Sequence, residues 1–427
     1  MIDDTLNYLY SLTREGIKMD LNATRALAEH LGNPQNKFKT IHIAGTNGKG
    51  SIASYIYNIL GQKYKTGMYT SPHLIDFNER IIVDQQQIPD TYIIDFMEKN
   101  RSYIENLAVK YRNPTFFETT TVMAFKYFAD MNADFAAVEV GLGGRLDSTN
   151  IVMPEISIIA QIGYEHYQRL GCSLTSIAYE KGGIIKEGKP VVLLDEKPEV
   201  VSEIKKLAEI RNSELKMVSN YCNVSDLKYS LDGMFFTLKT PLEEYKIKTT
   251  NLGLFQIKNI SAAVTAIESI PDNPGKLAIE AGIAKARWPS RFEIISKDPL
   301  IIMDSSHNPP AASALVETFK TFVSQKPVLL IGMLNDKDYF SYMSIMRKLS
   351  DTVILTTPDD PERSLDPEAL AKGMGNMFPN IKIIKDPVQA YNYAIENNKC
   401  VLVTGSMYLV GMLKKYLNSS VRPFNIN

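Results

Sequence analysis

Apolar and polar positions alternate from Phe38 to Ala44, the pattern of a half-buried strand, and Ile52, Tyr55, Ile56, Ile59 and Leu60 then recur at helical spacing. The stretch between them, GTNGKGS at 45–51, therefore joins a strand to a helix. Farther along, the apolar runs FAAVEV (135–140), ISIIAQI (156–162) and VVLL (191–194) read as buried strands separated by helical segments. Residues 216–250 lack helical periodicity and predict a small antiparallel patch, and a helix is expected from about Gln256 to Ile270. The segment ARWPSRFEIISKDP (286–299) mixes Pro, charge and the only Trp, and marks a domain junction. After it the short runs PLIIMD, VLLIGM, TVILTT, IKIIKD and CVLVTG each precede a helix-like stretch. Alternation of this kind predicts an α/β protein: a mostly parallel sheet domain containing the glycine loop, over 1–294, and a smaller Rossmann-like α/β domain over 295–427. Asp304, Gly332, Thr357 and Thr404 fall at strand ends of the second series, where ligands of such sheets sit.

At 427 residues the chain is longer than single cores usually grow, in keeping with two domains. A net charge of −1 argues against general attraction to nucleic acid or to an anionic membrane, so an anionic ligand needs a local site. Three cysteines, Cys172, Cys222 and Cys400, lack metal-ligand spacing and suit a reducing compartment. The acidic start MIDDTLNYLY is unlike a signal peptide, and no apolar run reaches the ~18 residues that span a bilayer. A cytoplasmic location is expected.

The glycine loop is the first candidate for chemistry. At a strand-to-helix turn, consecutive N–H groups and the positive end of the helix dipole face one point and favour an anion there. Gly45, Gly48 and Gly50 permit close approach and Lys49 adds charge, although the spacing is shorter than the usual GxxxxGK[ST], and a purely structural turn is the competing reading. The second glycine cluster, EVGLGGRLDSTN (139–150), fails as a dinucleotide fingerprint because the third required position is Leu146. Glu139 is an acid in an apolar strand, and either a cation or hydrogen bonds from the backbone or Arg145 must satisfy it. Taken singly, His166 beyond ISIIAQI, Ser71 in YTSPHL and Lys181 in SIAYEKGGIIK read as a structural histidine, a turn residue and a solvated helix lysine. Together, the loop, a strand-end hydroxyl, a strand-end acid and a histidine suit a Mg²⁺ site, since hard cations take oxygen ligands.

The motifs combine into a resemblance. GTNGKGS, TSPHL with FNERI, TFFE (115–118), EVGLGGRLDSTN, EKGGIIK, WPSRFE, DSSHNP, the DKD of LNDKDY and TGSMYLVG occur in the order of the folylpolyglutamate synthase/dihydrofolate synthase family of the Mur ligase superfamily. The chain resembles that family over nearly its whole length. The resemblance implies an ATP-dependent amide ligase that adds L-glutamate to a dihydropteroate, folate or tetrahydrofolate carboxylate, with an acyl phosphate between and ADP released. It also implies domain closure that keeps water from that intermediate.

By the same resemblance, Asn47, Gly48, Lys49 and Gly50 hold the ATP phosphates, and Asn259, Arg291 and Asp304 are nucleotide contacts. Ser71 and Glu139 match a first Mg²⁺ site, His166 matches a ligand of a second, and Lys181 matches a lysine carbamylated in the family. A carbamate turns that cation into an anionic oxygen group; an unmodified ammonium beside two Mg²⁺ ions is repelled. Catalytic roles fall to Lys49, His166 and Lys181, pterin contacts to Thr115, Phe117 and Asp147, and glutamate contacts to His307 and Ser406. A monomer is expected, since all these residues come from one chain. The departures are Glu165 for the usual Asp before the metal His, Tyr167 for Thr or Met after it, Phe255 in FQIKN for HQxxN, Ser305 and Ser306 for Gly-Ala, and Cys172 in LGC for LGD.

Overall fold

The computed structural model describes residues 2–12, 20–164, 170–360 and 362–420. The chain divides into two units, the first holding residues up to Leu227 with Phe235–Lys248 and Ile257–Ala286, the second Lys228–Met234, Thr249–Gln256 and Arg287 onward. Both carry the expected α/β architecture.

In the first unit an eight-stranded sheet runs in the order β4-β3-β2-β5-β1-β6-β7-β8. Its strands are β1 (Lys39–Ala44), β2 (Thr66–Tyr69), β3 (Ile81–Val83), β4 (Gln86–Gln87), β5 (Phe135–Glu139), β6 (Ile156–Ile159), β7 (Val191–Leu193) and β8 (Leu215–Met217). Five pairings, β2–β5, β5–β1, β1–β6, β6–β7 and β7–β8, are parallel; only the β2–β3–β4 edge is antiparallel. The half-buried reading of β1 is wrong. Every position after Lys39 is buried, because helices cover both faces of a parallel sheet at its centre. The polar residue His42 survives there by bonding the Thr149 hydroxyl at 2.8 Å.

The helix Lys49–Leu60 is buried at every position from Gly50 on, so its apolar character goes well beyond one stripe. On one side of the sheet Val122, Phe125 and Phe128 of the helix Phe116–Asp130 pack with Ile93, Met97 and Ile104, all buried. Burying each such phenylalanine contributes about 1.5–3 kcal/mol. Another cluster sets Ile177 and Ile184 against Ile159, Val191 and Ile204. The segment 216–250 forms the short helix Val218–Tyr221 and a three-stranded sheet of β9 (Asn223–Ser230), β10 (Gly233–Lys239) and β11 (Glu244–Thr249). The helix expected from Gln256 to Ile270 spans Leu254–Glu268.

The second unit is a six-stranded sheet in the order β12-β13-β17-β14-β15-β16. Its strands are β12 (Glu293–Lys297), β13 (Leu300–Met303), β14 (Val328–Ile331), β15 (Thr352–Leu355), β16 (Asn380–Ile383) and β17 (Cys400–Thr404). All five apolar runs are parallel strands. The antiparallel edge strand β12 lies inside the segment taken for a junction; its bulge at Ile294/Ser296 breaks the alternation that would have revealed it.

Candidate active site

β1 ends at Ala44 and the chain reaches the helix Lys49–Leu60 through Gly48, which caps it with φ 91°. A side chain is strained in that conformation. It also lacks room, because a Cβ on Gly48 would stand 2.6 Å from Oδ1 of the buried Asn259. The loop thus presents backbone against the Asn259 amide, as anion binding at a helix N-terminus requires.

Two cations converge on one atom beside it. The Gly45 carbonyl accepts from Lys49 Nζ at 3.0 Å and from Lys181 Nζ at 2.8 Å. Lys181 is 1% exposed, so the solvated-lysine reading is overturned; the helix Leu174–Gly182 turns it inward against the loop. Two ammonium groups on one oxygen repel each other, and an anion between or on them relieves this. A buried carboxylate beside them is Glu139, at the end of β5 and paired in register with Ile43 of β1. Its Oε1 lies 3.9 Å from Lys49 Nζ, and its Oε2 accepts from Ser71 N at 3.2 Å. Arg145, one candidate partner for Glu139, pairs with Glu180 at 2.8 Å.

Phe117 lies over the backbone just beyond Glu139: a Cβ on Gly141 would meet its ring at 2.4 Å. Thr115 caps the helix Phe116–Asp130 through a capping box with Glu118. Arg112 holds Glu118 from both guanidinium ends, at 2.7 and 2.8 Å. Asp147 accepts from Leu142 N and from the Thr149 backbone and hydroxyl. Because the Thr149 hydroxyl donates to Asp147, it accepts from His42 Nε2. Burial raises the Asp147 carboxyl above its usual range despite those donors. Burial, helped by the Lys186 charge, pulls His42 down to about 3 and keeps it neutral.

In the second unit Asp304 follows β13 and spends its carboxylate on two backbone donors, Phe292 N and Ser306 N, both at 2.8 Å. Arg291 donates to Ser290 O. The departures Ser305 and Ser306 are both buried; Ser306 joins a hydroxyl ring with Tyr342 (3.1 Å) and Thr404 (3.0 Å). His307 Nδ1 donates to Ser305 O, and Ser406 accepts from Tyr408 N at the head of the helix Met407–Ser420. Thus Asp304, His307 and Ser406 share the carboxyl edge of this sheet. Cys172 is exposed and Phe255 half-buried. His166, Glu165 and Tyr167 lie outside the described residues.

Residues 43–267 match the model of the Mur ligase middle domain, and residues 290–407 that of the Mur ligase glutamate ligase domain. A dihydrofolate synthase/folylpolyglutamate synthase of Bacillus subtilis is 33% identical, with 97% of this chain and 98% of that protein covered. The chain belongs to the folylpolyglutamate synthase/dihydrofolate synthase family of Mur ligases. Among solved structures, a folylpolyglutamate synthase of Thermotoga maritima matches with TM-score 0.86 and 33% identity, covering 100% of this chain and 98% of that one. Escherichia coli FolC in complex with DHPP and ADP matches with TM-score 0.86 and 28% identity, covering 99% and 98%. As a member of this family the chain is an ADP-forming ligase.

For a ligase site the motif residues of β2 to β3 carry more than sequence reasoning assigned. Glu79 of FNERI accepts three successive N–H groups, Leu74 at 2.7 Å and Ile75 and Asp76 at 3.0 Å, and so folds the loop that carries Ser71. Arg80 is buried, lies 5.2 Å over the Phe116 ring and donates to His73 Nδ1 at 2.8 Å. Burial and the Arg80 charge hold His73 down at about 4. The pair of charged residues immediately before an apolar strand was the available signal. For the metal, the donor set fits in chemistry: Ser71 carries a hydroxyl, and its backbone N donates to the buried Glu139 carboxylate beside the loop, so both groups offer oxygen. Among the described residues no three His, Cys, Asp or Glu side chains gather as a metal cage.

Proposed function

We propose that the protein joins L-glutamate to the carboxylate of a dihydropteroate- or folate-type acceptor and uses ATP to do so. The acceptor carboxylate attacks the γ-phosphorus and ADP leaves. The glutamate amine then attacks the acyl carbon, loses a proton, and phosphate departs. The observation that carries this reading is the convergence of Lys49 and Lys181 on the Gly45 carbonyl beside the buried Glu139. In that arrangement the Lys49 charge is fixed where a transferring phosphoryl group needs it, and the Lys181 side chain is held beside it. The Escherichia coli relative with DHPP and ADP supports a pteroate acceptor and a nucleotide.

In this reading Asn47, Gly48, Lys49 and Gly50 hold the phosphates, and Asn259, Arg291 and Asp304 serve the nucleotide. Ser71, Glu139, His166 and Lys181 would hold two Mg²⁺ ions, which neutralise phosphate charge when bound. Lys181 would act as its carbamate; one N–H remains for the Gly45 carbonyl, and the repulsion with Lys49 becomes attraction. Thr115, Phe117 and Asp147 face the pterin, and a raised Asp147 carboxyl suits hydrogen bonding to a heterocycle. His307 and Ser406 serve glutamate. We assign 1–294 to the nucleotide and pterin domain and 295–427 to the glutamate-ligase domain, and expect a cytoplasmic monomer; among the described residues no helix is long and apolar enough to cross a membrane.

The test is glutamate-dependent ADP release with dihydropteroate and with tetrahydrofolate as separate acceptors. Turnover with one assigns the step and turnover with both makes the enzyme bifunctional. Silence with both, from folded protein that binds ATP, overturns the acceptor class.

A further inference from the structure

Asp195 follows β7, and its side chain is only 1% exposed. A carboxylate buried to that degree costs stability unless cations and donors surround it, and no step of the ligase chemistry uses it. Its partners show what it holds. Lys197 donates to it from Nζ, at 2.9 and 3.1 Å, and from its backbone N at 2.9 Å. On the other side Ile162 N donates to Asp195 Oδ2 at 2.6 Å, and Lys197 Nζ donates to Ile162 O at 2.8 Å. One ion pair therefore grips both polar groups of a single peptide residue just beyond β6.

The residues flanking Ile162 are gripped from the phosphate loop. Thr46 Oγ1 accepts from Gly163 N at 3.0 Å and donates to Gly163 O at 3.2 Å. The Gln161 carbonyl accepts from Thr46 N at 2.8 Å and Asn47 N at 3.3 Å. Gly48 and Lys49 follow at once. The loop is thus docked on residues 161–163, and that stretch is pinned in turn from the end of the next strand.

We propose that Asp195 and Lys197, acting through Thr46, are positioning residues that set the phosphate loop in its nucleotide-binding geometry. The inference rests on the reading of residues 45–51 as that loop. A group misplaced by about 1 Å loses much of its contribution, so loss of the clamp weakens nucleotide before it weakens anything else.

The experiment measures ADP affinity by calorimetry in the presence of Mg²⁺, together with KM values for ATP and for the pteroate acceptor and the melting temperature. Asp195→Ala and Thr46→Val each weaken ADP and raise the ATP KM about tenfold, and leave the acceptor KM within about twofold. Thr46→Ser keeps both hydrogen bonds and restores wild-type values. The double variant Thr46→Val/Asp195→Ala loses far less than the product of the single losses, because both act through residues 161–163. Lys197→Met, at a partly exposed head group, gives a smaller loss in the same direction and serves if Asp195→Ala does not fold. Wild-type ADP affinity in folded Asp195→Ala or Lys197→Met, or equal losses for ADP and acceptor, overturns the clamp alone. Wild-type protein that binds no ADP overturns the phosphate-loop reading beneath it.

Discussion

Lys49 and Lys181, far apart in the sequence, share one hydrogen-bond acceptor, the Gly45 carbonyl, at 3.0 and 2.8 Å. The lysine of the loop is expected from its motif. The second reaches the same oxygen from a different helix, and its burial makes it part of the loop's electrostatics.

Removing the Lys181 head group therefore has a chemical as well as a steric effect. Lys181→Ala lowers glutamate-dependent ADP release by about 100-fold or more, the scale of losing a fixed charge from a transition state. Added acetate or formate restores part of it by standing in for the carbamate. Normal turnover in the variant, with no response to carboxylates, returns Lys181 to a structural role.

Lys49→Ala abolishes turnover while the protein still folds, since Nζ contacts two carbonyls in the loop and only one buried side chain, Glu139 at 3.9 Å. Near-normal ADP release from this variant removes the phosphate assignment.

Gly48→Ala combines a positive φ with a Cβ 2.6 Å from Asn259 Oδ1. Stability falls by about 1–3 kcal/mol and ADP affinity by about tenfold or more. Thermal melts with and without ADP read both; a variant that still gains the wild-type stabilisation from ADP contradicts the close approach drawn for this turn.

Acid sensitivity has a named source. The histidine of an unfolded chain titrates near its ordinary value, whereas native His42 stays neutral down to about 3 and His73 to about 4. Between those values and pH 6.5 the unfolded state binds more protons, so this stability is complete above pH 6.5 and is lost as pH falls. Each histidine costs about 2 kcal/mol at pH 5. Urea midpoints at pH 8 and pH 5 read the loss, and His42→Gln shows a smaller drop between the two. An identical drop in wild type and variant assigns it to other groups.

Much of this was legible from residue order. The strand-loop-helix reading of 38–60 needed only the switch from alternating to helical spacing, and the runs of the second series were all strands. What failed depended on partners far away in sequence. β1 looked half-buried because His42 is polar, and the hydroxyl that satisfies it comes from Thr149. Lys181 looked like a surface lysine because its helix has polar neighbours, and only tertiary structure shows that it points at Gly45. Arg145 was a sensible partner for Glu139 by proximity along the chain, and Glu180 claimed it.

The place of β1 between β5 and β6 also dictates when during synthesis a functional loop first exists. Residues 45–51 emerge early, but the strand with Glu139, the residues 161–163 beneath the loop and the lysine at 181 all come later. A nascent chain that ends before Lys181 has no finished cradle, so nucleotide gives it little protection. Once Asn259, which packs against Gly48, has also been made, every element described around the loop is present, and ATP in the cell becomes a ligand that draws the growing chain toward its native sheet order.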